Sequence, residues 1–198
     1  MLDWLKNINK EHPDFWKAYV SKFDKKSSRY VVISTETSGL NPSKDVILSI
    51  GAFAVINDSI FIGDNFEAIL LQYKFFHDNG LTNEFLVESK MKKLPEPEAI
   101  ESLIEFIGNS VLVGHHIDCD VEIINEALER LDCGRLKNEA IDIDSMHRKL
   151  NDINDKQFSL NELCTLYNIP KSDRNSAAED AYKSALLFLK LKSRLGIK

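Results

Sequence analysis

The sequence lacks the features that would place it in a membrane, an export route or a stapled scaffold. Its apolar runs are short, as in ALLFL at 185–189, against the roughly 20 residues that a bilayer crossing needs. The opening MLDWLKNINK has neither an apolar core nor a small-residue cleavage site, so no secretory leader is expected. Cys119, Cys133 and Cys164 are odd in number and show no close metal-ligand spacing. That excludes a disulfide framework and points to a reduced, cytoplasmic setting without a membrane. Positive charge is not in excess either, since 25 Lys and Arg against 31 Asp and Glu leave a net charge of −6. A broad basic surface that grips nucleic acid by counterion release is therefore not expected. A site built from carboxylates fits this balance, because bound cations supply the compensating charge.

What is present reads as one α/β domain with an appendage. In residues 1–28, Phe15, Trp16, Tyr19 and Phe23 recur at helical spacing with lysines between them, and Pro13 marks a helix start. This segment is expected to be a helical extension packed on the main domain, or a docking helix for a protein partner. From residue 29 to 198 the character changes. YVVIS, DVILSIGAFAVIND and IFIGDNFEAILLQ read as three strands, the last two joined near Asn57-Asp58, with no helical pattern between them. The sheet should therefore open with antiparallel neighbours. EPEAIESLIEFIGN reads as a helix, SVLVGHH as a strand, and DVEIINEALERLD as a helix with Gly134 close behind its end. AIDIDSMHRKL holds a short strand and a helix start. SLNELCTLYNI is a helix with Ser159 and Glu162 spaced as a capping box, and NSAAEDAYKSALLFLKLKSRL closes the domain. Strands first and then alternating strands and helices imply a mixed sheet covered by helices.

Three acids fall at similar places in this scheme. Glu36 follows the first strand, Asp120 begins the helix after VLVGHH, and Asp180 lies in the first turns of the last helix. Singly, an acid near a helix N-terminus is explained by capping and the helix dipole. Together, ETSGL after one strand and GHHIDCD after another are not.

These residues resemble the DEDD superfamily of 3′–5′ exonucleases, in the branch with a histidine base, typified by the proofreading epsilon subunit of bacterial replicative DNA polymerase. The first family motif, Asp-x-Glu-Thr-Thr-Gly-Leu, stands here as Ser34-Thr35-Glu36-Thr37-Ser38-Gly39-Leu40. The second, Gly-His-Asn-x-x-Phe-Asp, stands as Gly114-His115-His116-Ile117-Asp118-Cys119-Asp120. The third, His-x-x-x-x-Asp-Ala, stands as Asn175-Ser176-Ala177-Ala178-Glu179-Asp180-Ala181. The resemblance implies a ribonuclease H-like fold, with a five-stranded mixed sheet whose first three strands are antiparallel. It also implies Mg²⁺ or Mn²⁺ as cofactor, two ions per site in the family. They flank the scissile phosphodiester about 3.5–4 Å apart, one activating water and one stabilising the leaving oxygen. Glu36, Asp120 and Asp180 match metal-ligand positions, Ser34 and Asn175 match catalytic positions, and Thr37, Gly39, Leu40 and His116 match substrate-binding positions.

The departures from the motifs fall on the chemistry. Ser34 stands where the family has the carboxylate shared by both ions, and a hydroxyl brings no charge. One ion or none is then expected to bind well. Asn175 stands at the general base, and an amide cannot take a proton near neutral pH. His116 or His147 as a substitute base, and Asp118 as a substitute ligand, are the alternatives left open. The expected function is a 3′–5′ exonuclease with impaired hydrolysis. The alternative is a catalytically inactive nucleic-acid-binding or polymerase-associated module. The partners implied are the 3′ end of single-stranded DNA or RNA, and a DNA polymerase or other protein docked through the N-terminal helices.

Overall fold

The computed structural model describes residues 12–71, 92–170 and 176–197. Runs of β-branched and aromatic residues form β1 (Tyr30–Thr37), β2 (Ile47–Ile56) and β3 (Ser59–Leu70), and both pairings among them are antiparallel. Asn57 and Asp58 both take left-handed backbone, φ 49° and 59°, the two-residue turn that matches strand twist. β4 (Lys93–Leu94) adds in parallel to the end of β3, Ile69 beside Lys93 and Leu70 beside Leu94. β5 (Val111–Gly114) runs parallel to β1, and β6 (Ala140–Asp142) parallel to β5. The sheet order is β4-β3-β2-β1-β5-β6. The expected five strands are thus corrected to six. The two residues of β4 carry no alternation to read, and their pairing follows from the edge that β3 leaves open.

Helices cover both faces. α1 (Asp14–Ser21), α2 (Glu96–Ile107) and α3 (Ile117–Arg130) lie on one. Their apolar stripes meet Val31, Ile33, Ile50 and Ala52, and Trp16 and Tyr19 of α1 belong to that same buried cluster. The Tyr19 hydroxyl donates to Asn138 Oδ1 (2.7 Å) and accepts from the Lys137 N–H (2.8 Å). Two aromatics that a docking helix would present are therefore committed to the core. α4 (Ile143–Asn151), α5 (Leu160–Leu166) and α6 (Ala177–Leu195) lie on the other face. There Val32, Val55 and Val113 meet Phe158, Leu163, Leu187 and Phe188. Burial on both faces explains the near-continuous apolar run of β2. The Ser159–Glu162 capping box at α5 forms as expected.

One helix end differs from expectation. Asp132, φ 58°, takes the left-handed position after α3, and Gly134 does not. A Cβ at Gly134 would stand 3.2 Å from the Trp16 ring, so this glycine makes room for α1. Among the described residues no helix is long and apolar enough to cross a membrane.

Candidate active site

Strand alternation divides the end of β1 between the two faces. Ser34 pairs with Gly51 and Glu36 with Ser49, on the α6 side, while Thr35 points toward α3. The Ser49 hydroxyl donates to Glu36 Oε2 at 2.5 Å. Gly51 is required by a close approach: a Cβ there would lie 2.1 Å from Ala178 Cα and 2.2 Å from its nitrogen. The absence of a side chain seats the first turn of α6 directly over the Ser34–Gly51 pair.

The turn after β1 is organised by Asp45. Its carboxylate accepts from the Ser38 hydroxyl and the Asn41 N–H, both at 2.8 Å. It also fills the space where a side chain on residue 39 would go, 2.7 Å from that Cβ, so any other residue at Gly39 would have to displace the Asp45 carboxylate. The Thr37 hydroxyl donates to the Gly39 carbonyl (2.7 Å). Leu40 projects from the apex, 99% exposed.

Asp120 approaches β1 from the opposite face, in the first turn of α3. Its Oδ1 accepts from both the N–H (2.8 Å) and the hydroxyl (2.7 Å) of Thr35. Burial pushes its pKa up to about 7, against the lowering effect of those two bonds. Asp118 is exposed on the same turn. His116, φ 55°, caps α3 and donates its N–H to Asp142 Oδ2 (2.6 Å). His115 Nε2 donates to the Phe158 carbonyl (2.6 Å), and burial lowers its pKa. His147 is buried beneath Phe158 and shares a 2.8 Å hydrogen bond with the Tyr167 hydroxyl, which makes it part of the scaffold.

On α6, Asp180 is half-exposed and Glu179 nearly buried, and both face an ammonium from the same helix. Lys183 Nζ lies 3.4 Å from Asp180 Oδ1 and 3.6 Å from Glu179 Oε1. The pair packs toward α5, where burial pushes the Cys164 thiol up, opposed by Lys183 and reinforced by Asp180. Asn175 lies outside the described residues.

These donors do not fit a pair of divalent ions. Hard cations of this kind are held through ionised carboxylates. Ser34 supplies none, Asp120 is buried with one oxygen doubly hydrogen-bonded, and Asp180 and Glu179 already share a cation. Among the described residues, the group that does bring three ligand atoms within 4.8 Å of one another is His116, Asp142 and Asp144. Its carboxylates have other work. Asp142 caps Ser145 and holds the His116 N–H, and Asp144 accepts from the Phe158 N–H and from Arg148. Sequence reading passed over Ser49, Asp45 and Lys183. Of these, only Lys183 left a signal, as a charge three residues from Asp180 and four from Glu179.

Comparison with known proteins gives the family and the fold. The exonuclease family model RNase T matches residues 31–188. The chain is 33% identical over 176 residues to a DNA polymerase III subunit epsilon from Buchnera aphidicola, covering 81% of this chain and 71% of that protein. It is 27% identical over 167 residues to a PolC-type DNA polymerase III from Staphylococcus epidermidis, covering 84% of this chain but 11% of that one. Solved structures of exonuclease I share the fold. One with the inhibitor BCBP gives a TM-score of 0.67 at 18% identity, covering 87% of this chain and 42% of the other. An E. coli complex with ssDNA gives 0.68 at 16%, covering 86% and 42%.

Proposed function

The chain belongs to the exonuclease family, and from that premise we propose that it holds the 3′ end of a nucleic-acid strand at the end of β1 with hydrolysis severely impaired. Exonucleases of this superfamily use divalent metals. The observation that carries the impairment is Ser34, a neutral hydroxyl beside Glu36 at the position where the family has a carboxylate. Asn175 adds to it, since a general base alone is typically worth 10²–10⁴-fold in rate. Strand binding is supported by the turn after β1. Asp45 ties Ser38 to Asn41 across the turn and Thr37 bonds the Gly39 carbonyl, with Leu40 exposed at the tip as an apolar surface for a terminal base. The epsilon relative is named as a subunit of DNA polymerase III and the PolC-type relative as a DNA polymerase III, and we extend to this chain the association with a polymerase. Trp16 and Tyr19 are committed to the core, so such a partner would engage other surfaces.

The test uses a 3′-labelled single-stranded oligonucleotide with Mg²⁺, Mn²⁺ or a chelator, following both anisotropy and mononucleotide release. The unaltered protein should bind without brisk release. Ser34→Asp with Asn175→His should restore chelator-sensitive release by about 10²-fold or more, beyond the product of the single changes, because both act on one transition state. Rapid metal-dependent release by the unaltered protein would refute the impairment. Absence of strand binding would refute the reading as a whole.

A further inference from the structure

A lysine enclosed by protein must replace its lost hydration with carboxylates or carbonyl oxygens. Lys183 is 8% exposed, and Asp180 and Glu179 are its carboxylate neighbours at 3.4 and 3.6 Å. Neither contact is tight, so one ammonium is shared between two acids rather than locked to either. Both acids belong to the first turn of α6. That turn is seated close on the sheet, with Ala178 against the bare face of Gly51. Lys183 is therefore held beside Asp180, one of the three motif acids that remain, on the helix whose first turn sits over the Ser34–Gly51 pair.

We propose that Lys183 is the built-in counter-ion of this cleft, an ammonium that satisfies Asp180 and Glu179 in place of a divalent cation and leaves strand binding independent of metal. The strand-binding half rests on the reading given above; the counter-ion half does not. Two features of the cleft then have one explanation. The loss of an acid at Ser34 and the presence of a cation at Lys183 both lower the negative charge that a divalent ion requires. A phosphate end entering such a cleft meets less repulsion without needing a metal bridge.

The experiment measures free Mn²⁺ by electron paramagnetic resonance in titrations of the wild type, Lys183→Met and Lys183→Arg. Oligonucleotide anisotropy is followed on the same proteins with and without chelator. Removal of the charge in Lys183→Met should raise Mn²⁺ affinity about tenfold or more, whereas Lys183→Arg should stay at the wild-type level. Equal affinity in the wild type and Lys183→Met would overturn the counter-ion. If Lys183→Met does not fold, wild-type melting with and without excess Mn²⁺ decides. A negligible shift supports the proposal, and a rise of several degrees overturns it. Strand binding by the wild type should be unchanged by chelator, and its loss in chelator would overturn metal independence. Absence of strand binding in every variant would instead refute the functional reading, while the Mn²⁺ titration still decides the counter-ion.

Discussion

On the α3 face of β1, Asp120 is buried and bonded twice to Thr35, and its carboxyl titrates near neutrality. On the α6 face, Asp180 stands half-exposed beside Lys183. The two acids hold equivalent motif positions, yet each is accommodated by different physics. Asp120 is stabilised by hydrogen bonds and by access to its neutral form, Asp180 by a neighbouring charge. The contrast follows from the packing around them. The α3 face is an apolar core up to the strand end, where an extra charge would be costly. The α6 face exposes a helix terminus, where carboxylates and a cation can be set together.

The sharpest way to break this contrast is to displace one face alone. Gly51→Val drives a side chain into the Ala177–Ala178 backbone. It should destabilise by about 4 kcal/mol or more, or prevent folding, since the obstacle is main chain and cannot change rotamer. Denaturant unfolding checks it, and a wild-type midpoint would mean that α6 is not seated as described.

A smaller effect sharpens the electrostatic side. The folded pKa of Asp120, about 7, lies above its ordinary 3.8. Its contribution to stability is therefore fully present below about pH 3.8 and is lost as pH rises through 7. Asp120→Asn keeps an acceptor for Thr35 and removes the titration. The variant should gain on the order of 4 kcal/mol over the wild type at pH 8 relative to pH 4, in the absence of divalent metal. His115 and His147, both lowered by burial, act in the opposite sense. Their contribution is present above about pH 6.5 and is lost as pH falls through their folded values, so the acid limb should persist in the variant. Parallel pH–stability curves for the two proteins would contradict the assignment to Asp120.

The smallest effect probes the α3 face far from the site. Tyr19→Phe removes a hydroxyl that links α1 to Lys137 and Asn138 and whose pKa burial raises to about 12. A loss of about 1 kcal/mol is expected, typical of one hydrogen-bonding group with water able to replace part of the bonding. Mn²⁺ affinity should be unchanged. A change there would mean that the two regions are coupled.

Most of the fold was legible because its signals are local. Asn57-Asp58 can adopt two consecutive left-handed residues, Ser159 and Glu162 bond within one turn, and the apolar stripes of α2, α3 and α6 need only their own periodicity. The exonuclease motifs were legible for the same reason, as short runs at two strand ends and at the start of the last helix, and so was the missing acid at Ser34. What the tertiary structure alone decided depends on residues far apart in the chain. β4 exists because β3 leaves an edge, and Gly134 is small because Trp16 packs on it. Asp120 leans toward neutrality because α3 buries it against Thr35, and α6 settles on the sheet because Gly51 leaves room for Ala178. A sequence specifies which groups can carry charge, but the free energy of each charge is set by the solvent and partners that folding leaves around it.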